Sequence, residues 1–224
     1  MKFSKVLLST QQFEAIKGFY GSLLGLDVLE DQPSQLLFQA GSTILAFRKA
    51  SSQDQPYYHI AFTIPANKFS EAKQWVSERG IALFSKDGQN EFLFENWNAS
   101  AFYFYDPDGN LIEFIAHHTL NNTTDEAFGS KNLLCISEIG LPVDNVSQVV
   151  KELTETFRLR LWSGDGQQFA ALGDAEGRLI VVDKHRPWFP DGRIPGVFDT
   201  RVSIEGTDSA RVVLQNGLYE LRST

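Results

Sequence analysis

Two stretches of this chain repeat one pattern, and that repeat limits the fold more than any other feature. Residues 59–115 open with His59-Ile-Ala-Phe-Thr-Ile64, pass through a helical stretch, and end on Phe102-Tyr-Phe-Tyr-Asp-Pro-Asp-Gly-Asn-Leu-Ile-Glu113-Phe-Ile. Residues 138–182 open with Glu138-Ile-Gly-Leu-Pro-Val143 and end on Phe169-Ala-Ala-Leu-Gly-Asp-Ala-Glu-Gly-Arg-Leu-Ile-Val181-Val. An internal repeat defines which positions are equivalent, so it precedes any assignment of chemistry.

Four units emerge. Their opening strands alternate strictly: Lys5-Val-Leu-Leu-Ser, His59-Ile-Ala-Phe-Thr-Ile, Glu138-Ile-Gly-Leu-Pro-Val and Arg201-Val-Ser-Ile-Glu. Helical periodicity follows in three of them, through Phe13, Ile16, Phe19 and Leu23, through Phe69, Ala72, Trp75 and Val76, and through Val146, Val149, Val150, Leu153 and Phe157. Antiparallel strands then return, at Gln35–Gln39 and Thr43–Arg48, across Asp106–Gly109 and across Gly173–Gly177. The fourth unit is short, with only Thr207–Leu214 and Leu218–Arg222 after its opening strand. An α+β fold of repeated βαβββ units, curled into open barrels with helices outside, is expected. Residues 1–118 read as one domain holding the main cleft, 119–131 as a linker, and 132–224 as a second, incomplete pair.

Three motifs in order carry a family resemblance: Phe19-Tyr-Gly-Ser-Leu-Leu-Gly-Leu26, His59-Ile-Ala-Phe62 and Phe102–Glu113. Together they resemble the vicinal oxygen chelate superfamily, which includes glyoxalase I, bleomycin- and fosfomycin-resistance proteins and extradiol dioxygenases. The resemblance implies barrels that hold a divalent metal or bind a ligand, with metal ligands on the first and last strands of paired units. It does not choose among those activities, because fold and function separate.

Large apolar residues of the opening strands belong under the helices, and the small or polar ones can line a cleft. By that parity Lys5, His59, Glu138 and Arg201 are equivalent and face inward. Counting four residues past each turn glycine gives Leu45, Glu113 and Val181 as last-strand corners. Carried over from the family, the first cleft has corners Lys5, Leu45, His59 and Glu113. His59 and Glu113 are the candidate metal ligands, and Glu113 is the candidate catalytic residue. A lysine at about 4 Å from a divalent ion costs about 8 kcal/mol at an effective dielectric of about 20. Two readings stay open: a Lys5–Glu113 pair in place of a metal, or one divalent ion on His59, Glu113 and water. Glu91 and Glu95 are further candidate ligands. Glu138 with Arg201 reads as a charge pair in the second cleft. His117 and His118, adjacent on a strand, read as a surface end, and His185 as packing at a domain edge.

Phe102 and Phe104 are placed with Glu113 and Phe47 with Leu45, while Trp97 stands at the cleft mouth. With Lys5, these are the candidate ligand-binding residues of a site for a small organic molecule. The family resemblance, rather than the spacing, implies a divalent-metal-dependent lyase, isomerase or ring-cleaving dioxygenase with a degenerate metal site. The alternatives are a metal-free binding or sequestering protein using Lys5 and His59, and an interaction module with a vestigial cleft. Net charge of −8 argues against nucleic-acid and anionic-membrane partners. One cysteine, Cys135, rules out a disulfide framework within the chain. No apolar run approaches a membrane span, so a cytoplasmic protein is expected. The truncated fourth unit suggests a homodimer through that half.

Overall fold

Alternation in the opening strands shapes the molecule, because it gives each sheet one apolar and one mixed face. The computed structural model describes residues 1–51, 54–206 and 209–224. Unit one contains β1 (Lys2–Thr10), α1 (Phe13–Lys17), β2 (Asp27–Gln32), β3 (Gln35–Ala40) and β4 (Thr43–Lys49). Unit two contains β5 (His59–Ile64), α2 (Phe69–Glu78), β6 (Phe92–Phe94), β7 (Ala99–Tyr105) and β8 (Leu111–His117). Unit three contains β9 (Cys135–Val143), α3 (Val146–Phe157), β10 (Leu161–Gly164), β11 (Phe169–Asp174) and β12 (Gly177–Asp183). Unit four has β13 (Thr200–Glu205), β14 (Arg211–Leu214) and β15 (Tyr219–Ser223). Of the strand expected over Thr207–Leu214, Thr207 and Asp208 lie outside the described residues. No helix among the described residues is long and apolar enough to cross a membrane.

The strands form two curled sheets, ordered β14-β15-β13-β1-β4-β3-β2 and β10-β11-β12-β9-β5-β8-β7-β6. The expected pairing of unit one with unit two is therefore wrong. Unit one pairs with unit four through antiparallel β1 and β13, and unit two pairs with unit three through antiparallel β5 and β9. Chain adjacency misleads here because the segment after β8 is long enough to return β9 alongside β5. That leaves β1 for β13, so the short fourth unit finds its partner inside the same chain.

Val6 and Leu8, Ile60 and Phe62, Ile139 and Leu141, and Val202 and Ile204 all enter one continuous core with the helices. The apolar faces of both sheets thus share that core, and the opposite faces form two clefts. A second, smaller apolar cluster lies on the cleft face of the eight-stranded sheet and includes Ala61, Tyr103, Ile180 and Trp188.

One residue in a turn sets which aromatics face the cleft. Asp106 pairs with Asn110 across Pro107-Asp108-Gly109, with the Gly109 amide donating to the Asp106 carbonyl at 2.9 Å. Gly109 has φ +77°, the left-handed geometry that closes a three-residue hairpin loop. Buried Asp106 fixes the turn by accepting from the amides of Asp108 and Asn110, the Asn110 side chain and the Tyr20 hydroxyl. The loop carries one residue more than a two-residue turn, and a one-residue slip exchanges the faces of a strand. Tyr103, rather than Phe102 or Phe104, consequently stands opposite Glu113. Phe102 and Phe104 are fully buried in the core against Phe114.

The corresponding hairpin between β11 and β12 is tighter, with Asp174 opposite Gly177. Counting from its glycine therefore overshoots by one. Glu113 lies beside Ala61, and the residue in the same relation to Gly140 is Ile180, not Val181. In unit one the corner is Ala46, beside Leu7, not Leu45.

Candidate metal centre

His59 on β5, Glu113 on β8 and Glu138 on β9 converge from three strands. Their ligand atoms all lie within 4.8 Å of one another, and all three side chains are buried. His59 Nε2 stands 3.4 Å from a Glu113 oxygen and 3.7 Å from a Glu138 oxygen. The other ring nitrogen, Nδ1, donates to the Leu111 carbonyl at 3.1 Å. That bond fixes the imidazole and aims Nε2 at the carboxylates, the usual way a metal-ligating histidine is oriented.

Arg178 orients Glu138. It is fully buried and donates to one Glu138 oxygen from Nη2 at 2.6 Å and from Nε at 3.2 Å, leaving the second oxygen toward His59. Its remaining donors reach His117 Nε2 at 2.7 Å and the Asp174 carbonyl at 3.0 Å. The guanidinium also lies 4.9 Å from the centre of the Trp97 ring. Tyr103 stands directly opposite Glu113 across β7 and β8.

The electrostatics follow from burial. Desolvation and the neighbouring Glu138 charge push the Glu113 carboxyl up to about 8. Burial would raise Glu138 as well, but Arg178 and His59 outweigh it and hold that carboxyl at about 2. His59 is lifted above its ordinary value by the two carboxylates despite its burial. His117 is driven down to about 4 by burial and by Arg178, so it accepts from the guanidinium as a neutral ring.

These residues fit a divalent cation. Two buried carboxylates share one guanidinium, and that guanidinium is committed to Glu138. The cluster is short of positive charge, and a buried carboxylate needs a cation or a proton. One imidazole nitrogen and two carboxylate oxygens suit a first-row divalent metal. The fourth corner is Ile180, which has no donor atom.

The cleft above has a volume of about 530 Å³. Its walls are largely aromatic, from Phe94, Trp97, Phe169, Trp188 and Phe189, with Arg186 and Glu95 at the rim. Trp188 packs on His59 with ring centres 5.4 Å apart, and Phe189 packs on Phe92 at 5.4 Å. Gly140 makes room for this lid: a Cβ there would lie 2.7 Å from the Trp188 ring and 3.2 Å from His59 Cβ. Gly140→Ala is expected to cost about 1–3 kcal/mol through overpacking and to displace Trp188. A denaturant titration with tryptophan emission as the probe measures both effects.

Of the residues expected from sequence, the structure brings together His59, Glu113 and Trp97. Lys5 is not among them. It lies on β1 in the other sheet, beside Arg48 and Arg201, so the Lys5–Glu113 pair does not form. Phe47 is core, stacked near Tyr20 and Phe38. Glu138 pairs with Arg178 instead of Arg201, which binds Asp199 and Glu220. Glu91 pairs with Lys73, away from the cleft. His117 is buried, whereas His118 bonds Ser100 at the surface and His185 is exposed. Sequence reasoning missed Tyr103, Arg178, Arg186, Trp188 and Phe189. The Pro- and aromatic-rich stretch after β12 was the available signal for the last three.

Residues 2–114 match the sequence profile of the Glyoxalase/Bleomycin resistance protein/Dioxygenase superfamily. The chain belongs to this superfamily. It is 29% identical over 100 residues to metallothiol transferase FosB of Staphylococcus haemolyticus, covering 42% of this chain and 68% of that protein. Over the whole fold it superposes on a mutant of glyoxalase I from Zea mays with a TM-score of 0.60 and 13% identity, covering 99% of this chain and 93% of that one. A provisionally assigned dioxygenase from Bacillus subtilis gives a TM-score of 0.63 at 13% identity, covering 100% of this chain and 85% of that one. At that identity these two structures speak for the fold alone.

Proposed function

We propose that the chain is a divalent-metal-dependent enzyme of the ring-cleaving dioxygenase type, acting on a small aromatic molecule with adjacent oxygens. The observation that carries this reading is the His59–Glu113–Glu138 cluster under an aromatic-walled cleft, with apolar Ile180 at the fourth corner. His59, Glu113 and Glu138 would hold a divalent ion at the base of the cleft. A divalent ion held there supplies Lewis acidity toward the substrate oxygens.

The chain's own residues do the rest. Trp97, Phe94 and Phe169 in the cleft wall give a planar ring aromatic surface to pack on. Trp188, itself buried, covers His59 at the base of the cleft, and Phe189 packs on Phe92 and Phe94 in its wall. Tyr103, whose hydroxyl is kept protonated by burial and by the neighbouring carboxylates, stands opposite Glu113 on the cleft face. Arg186 at the rim can meet an anionic substituent. The metal-free reading based on Lys5 and His59 together loses its support, since the two residues line different sheets.

The test is oxygen uptake after anaerobic loading with Fe(II), using catechol and a carboxylated catechol as substrates. Uptake with formation of a coloured ring-opened product is expected, and His59→Ala is expected to abolish it. Absence of uptake by fully loaded protein across a panel of substituted catechols would remove the dioxygenase reading.

A further inference from the structure

The second cleft, on the seven-stranded sheet, repeats the metal centre with its charges inverted. Arg201 lies opposite Leu7 as Glu138 lies opposite Ala61, and that register makes Lys5 the counterpart of His59. Ala46, beside Leu7, stands in the place of Glu113. Arg222, beside Ser203, stands in the place of Ile180, and Glu220, beside Arg201, stands in the place of Arg178. Where one cleft gathers carboxylates around an imidazole, the other gathers an ammonium and guanidiniums.

From this we infer that the second cleft is a binding site for a small oxyanion of the phosphate type. The cavity has a volume of about 250 Å³ and is lined by Lys5, Arg48, Arg201, Arg222, Ser203 and Glu220. Two carboxylates serve the local cations: Asp199 meets Arg48 and Arg201, and Glu220 meets Arg201 and Arg211. Among the described residues Lys5 has no ion-pair partner, and Arg222 donates to Ser203 Oγ at 3.2 Å. The lining therefore carries surplus positive charge in a chain whose net charge is −8. Such a concave patch of one sign concentrates counter-ions. Guanidiniums match phosphate oxygens two at a time, and an ammonium adds a movable donor. The volume suits a phosphate group better than a drug-sized molecule.

Calorimetric titration of the full chain, with divalent metal removed from the parent and all variants alike, with inorganic phosphate, and separately with glycerol phosphate, tests the site. One phosphate per chain is expected, with affinity falling as salt is raised. Lys5→Gln and Arg222→Gln are each expected to weaken binding about tenfold or more, the loss of one charge-assisted hydrogen bond. His59→Ala, in the other cleft, is expected to leave it unchanged. Both altered positions are half-buried or exposed, and thermal melts matching the parent protein separate lost binding from lost folding. Tighter binding of the monoester would assign the site to phosphorylated metabolites, and equal binding to the free ion; either result supports it. No saturable binding, or binding lost in His59→Ala but kept in Lys5→Gln and Arg222→Gln, overturns it. The readout is independent of the proposed dioxygenase activity, so the two ideas can fail separately.

Discussion

Arg178→Met is expected to lower the unfolding free energy of the metal-free protein by about 3–5 kcal/mol, the range for breaking a buried ion pair. Arg178 is fully buried and its Nη2 lies 2.6 Å from Glu138, with no solvent to replace it. Methionine keeps much of the volume but leaves Glu138 as an uncompensated carboxylate, whose pKa would climb from about 2. It also leaves His117 Nε2 and the Asp174 carbonyl without their donor. Two further variants make the interpretation specific. Arg178→Met combined with Glu138→Gln is expected to regain part of the loss, because the orphaned charge is gone. Arg178→Lys is expected to rescue poorly, because one ammonium cannot span Glu138, His117 and the Asp174 carbonyl together. Saturating divalent metal should shrink the Arg178→Met deficit by supplying positive charge to Glu138. Urea unfolding curves read all four results, and a deficit below about 1 kcal/mol would mean that Glu138 does not depend on this guanidinium.

The second large effect is the pH dependence of metal uptake. Burial and the Glu138 charge raise Glu113 to about 8, and the two carboxylates raise His59. Below about pH 8 the metal-free cluster therefore holds a proton that a metal must displace. Affinity then rises with pH, by up to about tenfold per unit for one displaced proton, and levels off above about pH 8. Between about pH 6 and pH 8 the Glu113 proton alone accounts for about a fiftyfold change. Glu138 contributes nothing to this slope, since Arg178 keeps it ionised throughout the range. Titration with Mn(II) or Co(II) at a series of pH values, with proton release followed in weakly buffered solution, measures the slope. A flat profile from about pH 6 to 8 would show that the ligands are already deprotonated in the metal-free protein.

Alternation in β5 made His59 legible from sequence and the apolar run of β8 did the same for Glu113, because an isolated histidine and an isolated carboxylate stand out on apolar strands. The equivalence of Glu138 with His59 was legible too. That they share one cleft was not. Strand pairing between units is a long-range choice, and the order of units along the chain carries no information about it. Units two and three meet through β5 and β9, and this single contact moves Glu138 in and Lys5 out. The misplaced aromatics have a more local cause. Asp106–Asn110 reads equally well as a four-residue turn or as a turn with an added left-handed glycine. The second geometry shifts the register by one residue, which turns Tyr103 inward and Phe102 and Phe104 into the core. Arg178 escaped notice because nothing in its strand distinguishes a buried guanidinium from an exposed one. Trp188 and Phe189 come from an irregular segment with no periodicity to read.

If units two and three build one metal centre together, metal content after loading and exhaustive dialysis shows it most directly. The comparison needs the parent protein, His59→Ala, Glu113→Ala, Glu138→Ala and Lys5→Ala. One divalent ion per chain is expected in the parent and in Lys5→Ala, with little or none in the other three. Full retention in Glu138→Ala, or loss in Lys5→Ala, would contradict the assignment and return the site to units one and two.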